Sequence, residues 1–204
     1  QKVEGKTAYF KDGSKKDVDA IILCTGYQHY FPYLPEELRL KTHNRLWPGN
    51  LYKGVVWQEN PKFFYIGMQD QYYTFNMFDA QAWYVRDIIL GRIKLPKADA
   101  MMKDWKKWLK REEKLKGPEE EIQFQGDYVN ELIHATDYPT FDTEGVKKTF
   151  LEWEHHKAED IMGFRNNSYR SLMTGTMSPK HHTPWKDALD DSLGTVGLAA
   201  TNTM

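Results

Sequence analysis

The sequence predicts an α/β fold, and three observations carry that expectation. A run of consecutive apolar residues, Ala20-Ile21-Ile22-Leu23-Cys24, stops at Thr25-Gly26, and a second run, Phe63-Phe64-Tyr65-Ile66, stops at Gly67. After the second run come four long segments that read as helices. A strand that is apolar at every position is buried on both faces, as strands are inside parallel or mixed sheets covered by helices. A strand that ends at glycine lets something flat or anionic approach the backbone closely, so both corners are candidate cofactor edges. An ordinary turn after a core strand is the alternative.

Taken in order, residues 7–10, the Lys11-Asp12-Gly13-Ser14 turn and the strand over 19–27 read as a hairpin with Asp-Gly at its tip. Residues 28–61 are rich in Pro, Asn, Gly and aromatics and read as an ordered connector with a short strand near 51–57. Residues 62–67 form the second buried strand. The first helix is expected over 75–90, with Phe78, Ala82, Val85 and Ile89 on its buried face and Gly91 and Pro96 closing it. Residues 101–116 make a charged amphipathic helix with Trp105, Trp108 and Leu109 on one side, stopped by Gly117-Pro118. Further helices are expected over 119–135 and 143–157. The chain turns polar from Gly163, and 194–204 reads as a loose tail.

Composition narrows the function classes. With 40% hydrophobic and 14% aromatic content, 204 residues suffice for a folded core. A formal net charge of -1 offers no electrostatic case for nucleic acid or for an anionic membrane surface. Cys24 is the only cysteine, so there is no disulfide framework and no Cys-based zinc site, which fits a reducing, cytoplasmic setting. It follows four apolar residues, so its thiol is expected to be buried and inert. No run approaches the roughly 20 apolar residues that span a bilayer, and residues 1–6 lack a signal peptide's apolar region. A soluble protein is expected. His155-His156 and His181-His182 are adjacent pairs whose side chains diverge, whereas zinc ligands on a helix want i and i+4, so no metal site is expected.

The second corner, Gly67-Met68-Gln69-Asp70-Gln71-Tyr72-Tyr73-Thr74, runs straight into a helix. Unpaired N–H groups at a helix start carry partial positive charge and can hold the electron-rich edge of a ring or a phosphate. Gln71 and Thr74, three residues apart, can address one ligand together. Plain helix capping by Asp70 or Thr74 is the alternative.

These words carry a resemblance. Cys24-Thr25-Gly26-Tyr27, Gly67-Met68-Gln69-Asp70-Gln71, and the stretches 75–84, 148–153, 164–165, 168–176 and 181–185 resemble the C-terminal half of bacterial flavin-containing monooxygenases, in particular the group that acts on trimethylamine. The likeness runs from about Lys15 to Ser192. The family carries two GxGxxG fingerprints and this chain has neither; Gly194-Thr195-Val196-Gly197 follows no strand and does not replace them.

The resemblance implies the C-terminal half of a flavoprotein with two dinucleotide-binding domains, in which mixed-sheet strands are followed by helices and an extended C-terminal arm. Residues 1–27 would end the NADP-binding domain and include the crossover strand. Residues 28–192 would complete the FAD-binding domain with a helical extension, and 193–204 would be a flexible tail. The N-terminal segment of the enzyme is expected beside this chain as a second chain, because a truncated sheet exposes strand edges and apolar surface. A homodimer is also implied, with 173–185 as an arm reaching across it or covering the NADP site.

The implied chemistry is N-oxygenation of a small amine, trimethylamine, with FAD, NADPH and O2, through a flavin C4a-hydroperoxide shielded by retained NADP. By the same resemblance Gln71 and Thr74 contact FAD, and Arg165 contacts the NADP phosphate or ribose through its planar fork. A surface ion pair is the alternative for Arg165. Trp153 and Tyr72 are candidates for an aromatic amine pocket, since a ring face attracts a cation. Core packing is the alternative for Trp153, and packing under the flavin for Tyr72. Asp70 is a candidate to orient the nicotinamide amide or a water. Two rivals stay open: a non-catalytic helical interaction module with a Trp-rich surface, and the same fold oxygenating sulfides or indole.

Overall fold

In this computed structural model, residues 2–26, 28–172 and 174–178 are described, and the chain divides into two units, Gln1–Leu40 and Lys41–Met204. The first unit is built on an antiparallel meander of β1 (Lys2–Glu4), β2 (Thr7–Tyr9) and β3 (Lys15–Asp17), with Ala8 opposite Val3 on one side and Lys16 on the other. The β2–β3 turn uses Asp-Gly as its composition predicts. Gly13 sits at φ +84°, and Asp12 Oδ1 accepts the Ser14 N–H at 2.9 Å and the Ser14 hydroxyl at 2.7 Å.

The returning strand is Lys15–Asp17, and of the strand expected over 19–27 none forms among the described residues, Tyr27 lying outside them. Ile21, Ile22 and Leu23 are 55%, 85% and 80% exposed, and Cys24 is exposed rather than buried. The physical reason is that a strand apolar on both faces needs neighbours that pair and cover it, and among the described residues no strand pairs with this segment.

The second unit opens on a tight hairpin of β4 (Leu51–Tyr52) and β5 (Val56–Trp57). Its turn places Lys53 and Gly54 at positive φ, 51° and 67°. Gly54 is required there for a second reason as well, because a Cβ would run into the Gln69 amide and, at 2.7 Å, the Tyr128 hydroxyl. Residues 62–67 do not make the expected strand. They run beside β5 with one bridge, Val56 to Phe64, and with the Tyr65 N–H donating to the Val55 carbonyl at 2.8 Å. A two-residue partner is too short to template a longer ladder.

The four expected helices form: α1 (Thr74–Ile89), α2 (Ala98–Glu112), α3 (Pro118–His134) and α4 (Thr143–Glu159). Pro118 occupies the first turn of α3 together with Glu119, Glu120 and Glu121, a placement that suits the positive end of the helix. Asp142 caps α4 by accepting the Gly145 N–H at 2.9 Å.

The buried face of α1 is Met77, Ala80, Gln81, Tyr84 and Val85; of the face expected from apolar spacing only Val85 is buried, while Ala82 and Ile89 are exposed. The helix turns toward α3 a face that contains a glutamine, which an apolar count passes over. At the centre of the unit Trp47 stacks on Trp108 at 5.2 Å and meets Phe124 and Tyr128 edge-on, so β4, α2 and α3 close around one aromatic cluster. Among the described residues no helix is long and apolar enough to cross a membrane. The expected tail over 194–204, and Met173 and residues 179–185 of the expected arm, lie outside the described residues.

Candidate functional site

The segment from Gly67 to Tyr73 has neither helix nor sheet to hold it, and buried side chains take over that task. Gln81, from α1, accepts the Gly67 N–H at 2.8 Å and donates to Gln69 Oε1 at 2.9 Å. The Asp70 N–H donates to the Arg45 carbonyl at 2.9 Å. From α3, Gln125 donates to the Asp70 carbonyl and accepts the Tyr72 N–H at 2.7 Å. Gly126 beside it has no Cβ, which lets the Tyr73 ring pack against α3, where its hydroxyl donates to the Thr143 carbonyl at 3.2 Å.

The segment so held forms one wall of a cleft of about 390 Å³, lined by Gln71, Tyr72, Thr74, Thr149, Phe150, Trp153 and Tyr169. Four of the sequence-derived candidates, Gln71, Thr74, Tyr72 and Trp153, therefore meet in one place. The capping alternative for Gln71 and Thr74 does not apply: α1 has Tyr73 at its N-cap and no side-chain cap hydrogen bond. Asp70 uses its Oδ1 on the neighbouring Gln71 N–H at 3.0 Å and faces an adjoining groove with Arg45, Glu112 and Glu121. Arg165 does not line the cleft. It is exposed on the short turn Phe164–Asn166, with its guanidinium 4.2 Å above the Phe164 ring and no ion pair among the described residues.

The cleft is aromatic and uncharged at its surface. Tyr72 donates from its hydroxyl to Glu121 Oε2 at 3.0 Å, and burial together with that carboxylate pushes the phenol well above its ordinary range, so it stays neutral. Trp153 packs edge-on against Phe164 at 5.1 Å and carries the Lys157 ammonium 4.9 Å over its ring. One polar atom of the lining residues, Gln71 Oε1, is buried without a hydrogen-bond partner among the described residues. Native structures rarely leave such atoms unsatisfied, and a carbonyl oxygen in this position asks for an N–H or O–H donor from a ligand.

Thr149, Phe150 and Tyr169 are lining residues that sequence reading did not single out, although all fall within the words that carry the resemblance. Gln81 and Gln125 left no signal, since a glutamine in a helix reads as solvent-facing. No group of three or more His, Cys, Asp or Glu side chains among the described residues is arranged to hold a metal ion. His155 pairs with Glu159 at 3.2 Å, and His156 lies between Glu152 and Glu159 at 3.7 and 3.6 Å. His181 and His182 lie outside the described residues.

An α/β scaffold with an aromatic cleft at the start of a helix, lined by an unsatisfied amide oxygen, agrees in kind with a flavin-binding protein. The chain belongs to the flavin-binding monooxygenase-like family, whose profile matches residues 1–140. More particularly, it is similar to trimethylamine monooxygenase of Roseovarius sp. (strain 217), at 64% identity over 95% of this chain and 43% of that protein. The enzyme of the same name from Methylocella silvestris is 60% identical over 94% of this chain and 42% of its own length. The crystal structure of Tmm from Pelagibacter sp. strain HTCC7211 superposes with a TM-score of 0.83 at 57% identity, covering 95% of this chain and 44% of that one. S-allyl-L-cysteine S-oxygenase from Allium sativum superposes at 0.64 with 25% identity, covering 79% of this chain and 38% of that one. The chain thus spans less than half the length of the curated relatives it matches.

Proposed function

We propose that this chain is the C-terminal part of an FAD- and NADPH-dependent monooxygenase that converts trimethylamine to trimethylamine N-oxide with O2. The observation that carries the reading is Gln71 Oε1, buried and unpartnered in an aromatic cleft beside a helix start without a side-chain cap. An isoalloxazine ring supplies what this lining lacks, a flat apolar body with an N–H on its edge, so the residues present fit a flavin. When bound, reduced flavin would activate O2 and pass one oxygen atom to a nucleophilic nitrogen.

Within that reading Gln71 and Thr74 hold FAD from the start of α1. Arg165, exposed and without an ion pair among the described residues, takes the NADP phosphate or ribose, a task suited to its planar fork. Tyr72 and Trp153 surround the amine with ring faces and keep water out, and the neutral, hydrogen-bonded Tyr72 phenol adds no charge of its own. Asp70, in the adjoining groove, orients the nicotinamide amide or a water. The exposed run Ile21-Ile22-Leu23 is where the N-terminal segment of the enzyme, as a second chain, would restore sheet pairing. The assembled enzyme is read as a homodimer, and the free, exposed Cys24 suits a reducing cytoplasm.

The test is to produce the chain together with the N-terminal segment, examine it for the yellow colour of bound flavin, and assay NADPH oxidation with trimethylamine, dimethyl sulfide and indole. Trimethylamine is expected to be the best substrate. A preparation that stays colourless and cannot be reconstituted with FAD overturns the reading in favour of a non-catalytic module; a yellow protein that prefers dimethyl sulfide or indole overturns the substrate alone.

A further inference from the structure

Gln125 is 1% exposed and lies on the face of α3 that packs toward the Gly67–Tyr73 segment. Its amide makes two bonds to the backbone there: Nε2 donates to the Asp70 carbonyl, and Oε1 accepts the Tyr72 N–H at 2.7 Å. Those are the peptide groups on either side of Gln71. One side chain therefore matches the acceptor and the donor that a neighbouring β-strand would have matched, in a stretch that has no strand neighbour. With both flanking peptides held, the backbone of Gln71 loses its freedom to rotate, and its side chain is left in the cleft with its oxygen unpartnered.

We infer that Gln125 is a positioning residue for the cleft, a backbone clamp that sets where Gln71 Oε1 stands and so tunes flavin binding. The inference rests on the functional reading above for the identity of the ligand, but the clamp itself does not. A ligand hydrogen bond depends steeply on distance and angle, so an acceptor whose backbone can shift contributes less than one that is held. No other described side chain holds both of these peptide groups. The Arg45 carbonyl accepts the Asp70 N–H at 2.9 Å, a peptide group on the far side of Asp70 from Gln71.

The experiment is a double-mutant cycle in the protein assembled with its N-terminal segment, reading FAD dissociation by flavin fluorescence. Gln125→Met, which keeps bulk and removes both bonds, is expected to weaken FAD binding about tenfold, the size of one lost ligand hydrogen bond. Gln71→Ala is expected to weaken it to a similar extent, and the double variant no further, because Gln125 acts through Gln71. Additive losses overturn the inference, since a purely structural role would lower affinity whatever stands at position 71. An unchanged FAD affinity in Gln71→Ala overturns the flavin role of Gln71 instead. Amide hydrogen exchange of Tyr72 in the unaltered protein then decides the clamp separately, and also serves should Gln125→Met not fold. Protection of about a hundredfold or more over the unfolded rate is expected for an N–H held by a buried side chain, and free exchange overturns the clamp.

Discussion

Gln81 Nε2 donates to the phenol oxygen of Tyr128 at 2.9 Å, in a contact between α1 and α3 from which both residues are closed to solvent. The Tyr128 hydroxyl in turn donates a hydrogen bond to the Lys53 carbonyl at 2.8 Å, and the other end of the Gln81 amide accepts the Gly67 N–H. One buried amide therefore ties together two helices, the hairpin turn and the entrance to the cleft wall. Gln81→Met, similar in volume, leaves the Gly67 N–H and Gln69 Oε1 without partners and is expected to cost about 2–4 kcal/mol. Urea unfolding checks it, and a loss within experimental error would show that the network is ornamental to stability.

Gly126 meets the Tyr73 hydroxyl so closely that an added Cβ would stand 2.9 Å from it. Two effects oppose each other in Gly126→Ala: overpacking against a buried ring costs about 1–3 kcal/mol, and replacing glycine in a helix interior returns about 1 kcal/mol. A small net destabilisation is expected. In a Tyr73→Phe background the clash is removed and the same substitution becomes stabilising. A thermal melt of the four proteins reads the sign change directly, and a penalty that persists without the hydroxyl contradicts the assignment.

Tyr72, Tyr73, Tyr84 and Tyr128 are all held above the ordinary phenol range, in each case chiefly because burial disfavours the phenolate. Since the folded state keeps these protons more tightly, their contribution is fully present below the unfolded phenol value of about 10 and is lost as the pH rises above it. Stability is expected to stay level on this account through neutral pH and then to fall in alkali. Phenolate absorbance from these four should appear only as the protein unfolds; ordinary titration in the native state would refute the packing described for them.

Trp153 lines the cleft together with Tyr72 and Phe150, whose rings meet at 6.0 Å, and its own ring carries the Lys157 ammonium at 4.9 Å. Loss of one cation–π contact is worth roughly threefold to thirtyfold in binding. Trp153→Ala in the assembled enzyme is therefore expected to raise KM for trimethylamine by about that factor with kcat nearly unchanged, the pattern of lost uniform binding. Trp153→Phe should recover much of it. Steady-state kinetics that leave KM where it was would remove Trp153 from the pocket and return it to its packing contact with Phe164.

Legibility in the chain followed the range of the interactions concerned. Gly91 marked the end of α1, and Gly117-Pro118 the start of α3 although α2 ends earlier, at Glu112, because capping and φ preference act within a few residues. The run Ile21-Ile22-Leu23 announced a strand and remains an exposed segment, because pairing is supplied by partners distant in sequence or on another chain. The same holds at the cleft. Gln71 and Thr74 were visible as a pair three residues apart, although α1 begins only at Thr74 and Gln71 lies in the irregular segment before it, and Trp153 and Tyr72 were visible as aromatics near the right words. Gln125 was not visible, since its value lies in facing the 70–72 peptides and nothing in its own neighbourhood records that.

Local chemistry in the chain was enough to establish the helices, the Asp-Gly turn, the glycine corner leading into α1, and kinship with flavin monooxygenases. Which residues share the cleft, which face of α1 is buried, and how buried glutamines hold an irregular segment in place were decided by packing. Those outcomes depend on helices α1, α3 and α4 meeting in space, and a hydrogen bond between residues far apart in sequence leaves no periodicity for a one-dimensional pattern to carry.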